Sequence, residues 1–431
     1  MTMRRARWLA GPACVCALGV IPPAAAADFP EFIDYVLKAD SSLQRLSNPF
    51  RVSDAERGFY GPDTVRLNEI SGAVIVPLLS DRTRFVASGS FGSAVYDRHP
   101  QLTHQPKRLD TAFQWRAGRL FQGSVGLGQE ERLNRFLSLS APDRDLVDSR
   151  NVFADVGLRV TESLTLPQLS VSRNSLRYEY PLNATLYNRN ENRVQVAARY
   201  SGWGASYVQA GLMQSRVDYI DRTPGLIAQV DNRYADREAF VDAQWVYSAK
   251  TMLSSRIGYR QRSYETLTDR NTSLITVDAK AAWQYSPKTR FDVAVWHRPY
   301  ANEEDPGILY STLTGARASI RWQYTDKLWL SFNVVRENQK NTRLAAINDG
   351  SSEALRFGPR VEWAVTRNMK LTVDGWQDKV EGRNYPSSTS TVVRVGLTLM
   401  TENGGAGQPE RLLRSPDCAP PRYVETTLCY D

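Results

Sequence analysis

The chain has 431 residues, 42% hydrophobic and 23% charged, with a formal net charge of +8 and a mean hydropathy of -0.43. That hydropathy excludes a bundle of transmembrane helices, and beyond the N-terminus no stretch reaches the roughly 18 consecutive apolar residues such a helix needs. A basic balance fits nucleic acid or an anionic glycan.

The N-terminus narrows this choice. Arg4, Arg5 and Arg7 form a basic region, Trp8 to Ile21 is apolar, and Ala25-Ala26-Ala27 supplies small residues for cleavage. Residues 1–27 read as a secretory signal peptide, with the mature chain starting near Asp28. Cys14 and Cys16 lie inside it without a lipobox, which argues against a lipoprotein. Losing the three arginines lowers the formal charge to +5. An exported protein meets anionic glycan or lipopolysaccharide rather than nucleic acid.

From residue 30 to 400 there is no linker or shift of composition, so one continuous architecture is expected over residues 28–400. Its first strand is Phe32 to Leu43, where Ile33, Tyr35 and Leu37 oppose Asp34, Val36 and Lys38. Polar turns then centre on Asp81, Ala117, Glu162, Gly202, Ala249, Pro287, Asp326 and Arg367, at intervals of 36 to 47 residues. The last four units carry Trp before a turn: Trp245-Val-Tyr, Trp283-Gln-Tyr, Trp322-Gln-Tyr and Trp363. Ser273–Tyr285, Arg290–Tyr300 and Thr314–Tyr324 alternate with period two and keep one face apolar. Pro167 within Ser163–Arg177 and Pro359 within Ala354–Val365 each remove a ladder donor and predict a bulge. Thr389–Met400 is the final strand. Repeated hairpins of long strands, with aromatics at one end, read as a transmembrane antiparallel β-barrel. Single-chain bacterial barrels have even strand numbers; 18 is expected here and 16 is the alternative. A β-propeller also repeats near 40 residues, but with four short strands per repeat.

The eight repeating turns are short and are assigned to the periplasm. Longer connections, such as Asp97–Lys107, Arg132–Ser149, Ile220–Arg233, Ala301–Tyr310 and Lys340–Ser352, are assigned to the outside. Residues 401–431 then form a periplasmic tail, whose Gly- and Pro-rich start is a tether. Cys418 and Cys429 read as a disulfide in an oxidising compartment. The alternative, a metal pair, lacks two further ligands.

The polar strand faces define a lumen. Its bases are Arg116, Arg159, Arg199, Arg256, Arg260, Arg262, Lys280, Arg298, Arg317, Arg321, Arg356, Arg360, Lys370 and Arg394. Its acids are Asp110, Asp155, Glu238, Asp242, Asp278, Asp292, Glu337, Glu362 and Asp374. Guanidinium forks suit carboxylates and phosphates, so a basic surplus would draw anions. Cross-strand pairing that only holds the barrel's shape is the competing reading. Phe153, Tyr207, Phe240, Tyr264, Trp296, Trp329 and Trp376 share this face; Trp296, Trp329 and Trp376 are the main candidates to stack on sugar rings. For Trp296 and Trp329 a place in the interfacial girdle is the alternative.

No HExxH, GxSxG, P-loop or CxxC pattern is present, and no cofactor or metal is expected. Of the three histidines, His99 beside Asp97 is the best local acid–base pair, against the alternative of a solvated loop. The chain is not expected to be an enzyme.

Asn48-Pro-Phe-Arg51 resembles the Asn-x-Phe-Arg element of the EpsL-like exopolysaccharide-export outer-membrane barrels. Leu109-Asp110 with Gln114-Trp115 and Gly123–Gly126, Ser286-Pro-Lys-Thr-Arg290 with Trp296, and Thr314-Gly315-Ala316 are similar in order and spacing. The likeness spans Phe32 to Met400; the tail departs from it. It implies an outer-membrane channel passing a secreted, acidic polysaccharide, served by periplasmic or inner-membrane synthesis and export proteins. The alternative is a general or anion-selective diffusion porin; an outer-membrane enzyme and a closed adhesive barrel are further alternatives.

Overall fold

A strand with one apolar face in lipid must satisfy every backbone group by pairing along both edges, because no water is there to replace a missing partner. The computed structural model shows how this chain does so. It describes residues 33–80, 83–134, 144–300, 308–343, 350–382 and 387–403. The expected signal peptide, the tail from residue 404 and Cys418 and Cys429 lie outside the described residues.

Eighteen strands form. The first six are β1 (Asp34–Leu46), β2 (Asp63–Ser80), β3 (Thr83–Tyr96), β4 (Lys107–Ala117), β5 (Phe121–Leu133) and β6 (Leu146–Arg159). Next come β7 (Leu164–Tyr178), β8 (Arg189–Trp203), β9 (Ser206–Tyr219), β10 (Arg233–Ser248), β11 (Thr251–Tyr264) and β12 (Thr272–Ser286). The last are β13 (Thr289–Tyr300), β14 (Ile308–Thr325), β15 (Leu328–Arg343), β16 (Ser351–Ala364), β17 (Met369–Gly382) and β18 (Ser388–Glu402). Each pairs antiparallel with its chain neighbours, and β1 closes onto β18 from Val36↔Glu402 to Leu46↔Val392. The sheet therefore has no open edge.

The outward faces are apolar. On β12 they are Ile275, Val277, Ala279, Ala281, Trp283 and Tyr285. The Trp-x-Tyr repeats place Trp245 with Tyr247, Trp283 with Tyr285 and Trp322 with Tyr324 in edge-to-face pairs at 5.4, 5.1 and 5.2 Å. All six rings are exposed at the turn end of the barrel. This is an aromatic girdle at a membrane boundary. The molecule is an 18-stranded barrel of the bacterial outer membrane.

Seven of the eight turns fall close to their expected places, with two shifts, and Asp81 lies outside the described residues. The β4–β5 turn starts at Gly118 and the β8–β9 turn at Gly204, one and two residues after the expected centres. Both glycines have positive φ, +60° and +63°. The backbone reverses where a residue without Cβ allows the left-handed conformation. Pro167 behaves as expected: the β7–β8 register shifts between Thr165 and Gln168. Pro359 does not. It pairs in line with Phe332 on β15, and toward β17 the register runs unshifted from Phe357↔Gln377 to Arg360↔Asp374. The ladder there omits the proline's missing donor without adding a residue.

The long connections hold short helices: α1 (Arg57–Tyr60), α2 (Pro181–Tyr187) and α3 (Pro224–Val230). They lie at the end opposite the short turns and cap the outer rim. One apolar cluster there joins Phe50 and Val52 of the β1–β2 loop to Val65, Ala94, Tyr96 and Leu102. A second joins Leu186 and Tyr187 of α2 to Val147 and Tyr178.

Candidate functional site

The polar strand faces are concave, as contacts between non-adjacent strands show. Trp296 on β13 donates from Nε1 to Glu337 Oε1 on β15 at 3.2 Å. Arg321 on β14 reaches Glu362 on β16 at 3.1 Å. Arg256 on β11 lies 3.5 Å from Gln195 on β8. Side chains reach across an intervening strand only on the inside of a curved sheet. One row of that inner face runs Arg256↔Asp278↔Trp296↔Gly315↔Glu337↔Ala354. Counted by twos from this row through the register, the fourteen bases, nine acids and seven aromatics all fall on the inner face.

The structure also shows how these groups are used. Glu238 accepts from Arg256 at 3.1 Å and from Arg260 Nε at 2.7 Å. Arg262 forks onto Asp236 at 2.8 and 2.9 Å, and Arg260 approaches the same carboxylate at 3.8 Å. Glu362 lies between Arg321 at 3.1 Å and Arg360 at 3.4 Å. Asp378 takes Nη2 of Arg356 and Nη2 of Arg51, each at 2.9 Å. Arg394 bonds Asp374 from Nε at 2.9 Å and Nη2 at 2.6 Å. Arg317 donates to Asn333 at 3.3 Å. Glu238, Glu362 and Asp378 thus each serve two guanidiniums. In each, one carboxylate faces two guanidinium charges.

The inner aromatics lie against these cations. Arg256 sits 3.8 Å over the Phe240 ring and Arg199 3.8 Å over Tyr207. Arg394 lies 5.9 Å from Trp376 and Arg321 6.0 Å from Trp329. Rings in this position hold guanidiniums by cation–π attraction. Trp296 is buried and lies flat over Gly315, where a Cβ would overlap the indole.

Three charged inner-face participants, Asp236, Asp378 and Arg51, were not among the expected residues. Asp378 has the same parity as Asp374, so period-two counting could have found it. Arg51 had no such signal. It comes from the β1–β2 loop, with a left-handed φ of +54°, and its partner lies 327 residues away.

The expected Asp97–His99 pair does not form. Asp97 pairs with Arg66 at 3.7 Å, and His99 Nδ1 bonds Asp63 Oδ2 at 2.8 Å. Asp63 is fully buried and also accepts from the backbone N–H of Thr64, Arg98 and His99. Burial pushes its carboxyl up, but these bonds outweigh burial and hold it below its usual range. The arrangement is a loop clamp; no nucleophile joins it among the described contacts of His99.

No family model matches the chain, and no curated protein matches it. Solved structures similar to it include three from Pseudomonas aeruginosa. OccK2 (OpdF), in complex with glucuronate, is 10% identical, with a TM-score of 0.49 and coverage of 86% of this chain and 98% of the other. OccK3 (OpdO) is 12% identical, with a TM-score of 0.48 and coverage of 86% and 96%. OpdK with vanillate is 10% identical, with a TM-score of 0.48 and coverage of 86% and 99%.

The expected membership of the EpsL-like exopolysaccharide-export family does not hold. No family model supports it, and the similar solved structures include several of the Occ and Opd type. The motifs that suggested it have structural roles of their own. Asn48 accepts from Val52 N and donates to Val52 O and Thr389 O, which anchors the first outer loop. Gly123 and Gly126 leave room for Trp115 and Phe153, and Gly315 for Trp296. Pro287 and Lys288 are a hairpin turn. The molecule is an 18-stranded outer-membrane barrel.

Proposed function

We propose that the chain is a passive outer-membrane diffusion channel that prefers small anions. The observation that carries this reading is the sharing of Glu238, Glu362 and Asp378 between pairs of arginines. Strict one-to-one pairing would leave a neutral wall. Sharing holds the guanidiniums in place and still leaves a positive potential along β10–β11 and β14–β17. Such a wall concentrates anions and repels cations without a tight site that would stall them.

Reversal potentials in planar bilayers under a KCl gradient test it. The unaltered barrel is expected to prefer chloride. R321Q with R360Q should move the permeability ratio toward unity. E362Q should move it the other way, because it removes the carboxylate that neutralises the same two arginines. Cation preference in the unaltered barrel, or absence of conductance, overturns the reading.

A further inference from the structure

The outer face carries a second set of arginines that the lumen does not explain. Strands β6 to β10 present apolar residues outward through the membrane: Val152, Val156, Leu169, Val171, Val194, Val196, Leu212 and Val241 are all exposed. The apolar run ends at its upper edge in arginine on three of these five strands, and on β9 in Gln214 followed by Arg216. Arg150 follows Val152 on β6, and Arg173 follows Val171 on β7. Arg216 stands two outward positions above Leu212 on β9, and Arg237 two above Val241 on β10. All four side chains are exposed. Arg177 and Arg233 stand in the rows above them.

The register makes these residues one patch. Val152, Arg173, Asn192, Arg216 and Ala235 form one continuous outward row. Arg173 and Arg216 are therefore two strand spacings apart, about 10 Å. Arg237 lies one row below and Arg150 one row above, each row being about 7 Å. Opposing charge is limited to Asp148, which pairs with Arg150, and to Asp218 and Glu265, which pair with Arg233. Arg177 bonds the carbonyls of Leu176 and Arg189 and the Asn190 side chain. Arg173, Arg216 and Arg237 have no ion pair among the described residues.

Strands β11 to β16 differ at this height. On β11 to β14 the first polar outward residues above the apolar run are Gln261, Ser273, His297 and Thr314. On β15 and β16 they are Arg336 and Glu353, which neutralise each other at 2.7 Å. Outward bases recur on β1, β2 and β4, but Arg45 bonds Thr64, Arg66 pairs with Asp97 and Lys107 pairs with Glu131. The cluster of arginines without ion pairs among the described residues lies on β7 to β10, at the outer boundary of the membrane.

We propose that Arg173, Arg216 and Arg237 bind the phosphate groups of a phosphorylated glycolipid headgroup in the outer leaflet. A guanidinium just above lipid tails meets headgroups first. Its fork suits phosphate oxygens, and a low-dielectric floor of Val171, Val194 and Leu212 strengthens the attraction. A headgroup with two phosphates fits a row of cations about 10 Å apart, while its acyl chains lie along the valine face. Asn192, between the two arginines, offers an amide to the sugar.

The test uses the full barrel in detergent with purified lipopolysaccharide as probe, and native mass spectrometry to count retained lipid. The unaltered barrel should retain it and should lose it when the probe's phosphates are removed enzymatically. The triple variant R173Q, R216Q, R237Q should bind about a hundredfold more weakly, the product of three charges worth about fivefold each. The triple variant to Lys should stay within about tenfold. Equal retention of the dephosphorylated probe overturns the proposal, and that arm needs no variant to fold. So does unchanged retention by the Gln triple variant. Displacement of the lipid by millimolar inorganic phosphate would point to a free-anion site and overturn the lipid assignment.

Discussion

Asp63 organises the outer rim through one buried carboxylate. Three backbone N–H groups and the His99 ring converge on it, and Phe50 packs edge-on against that ring at 4.7 Å. Because the folded-state carboxyl is held below its unfolded value, its contribution is complete above about pH 4 and is lost as pH falls through the folded value. Hydrogen exchange at the Arg98 and His99 amides, taken relative to the free-chain rate at each pH, should therefore speed up on acidification through that window. Asp63→Asn should speed it at neutral pH, by about 1 to 3 kcal/mol of local opening, and should flatten the acid dependence. An unchanged acid dependence in the variant would remove Asp63 from the clamp. Gly315 supports a second residue-scale prediction. Gly315→Ala places a methyl on the Trp296 indole, so the ring must leave and its bond to Glu337 must break. The expected cost is about 1 to 3 kcal/mol, read as a lower unfolding midpoint in denaturant. In a Trp296→Ala background the same change should cost little, because residues in contact are not additive.

At the scale of elements, the β1–β2 loop acts as a strap. Asn48 bonds Val52 and Thr389, Ser388 Oγ donates to the carbonyl of Arg51, Asp54 accepts from Thr389, and Arg51 reaches Asp378. The loop leaves β1 and is fastened over the outer end of β17 and β18. Asn48→Ala removes three of these bonds at a buried position, so protease should cut within residues 47–62 faster while the barrel keeps its mobility on unheated gels. Loss of the folded barrel itself would show that Asn48 supports the wall and not the strap. The strap also marks where sequence reading stops. The strands were legible because alternation is local: Ile275 to Tyr285 declares its outward face within eleven residues. The inner face followed from parity alone. Arg51 was read only as part of a motif, because its partner is set by ring closure and lies hundreds of residues away. Asp63 escaped notice for the same reason, since His99 is drawn to it and not to the neighbouring Asp97. The α2 and α3 helices are seven residues each and too short to show a helical period.

At the scale of the molecule, everything functional depends on which face meets lipid. The assignment rests on curvature, on the aromatic girdle and on the shared carboxylates, and it makes opposite predictions for neighbouring positions. Val293 on β13 points outward and is 47% exposed, with Phe291 and Val295 beside it on the same face. Ser319 on β14 points inward, beside Arg317 and Arg321 of the same strand. Its register partner Asp292 also faces the lumen. Arginine at position 293 would have to enter hydrocarbon, at a cost of about 2 to 4 kcal/mol near the midplane. Arginine at position 319 would stand in a polar lumen within reach of Asp292. Folding into lipid vesicles, followed by the shift between heated and unheated gel mobility, measures both. Val293→Arg should fold poorly, whereas Ser319→Arg should fold well and strengthen anion preference in bilayers. The reverse order would place the arginine triads against lipid, where their charge could not be carried, and would remove the channel reading together with the lumen it needs.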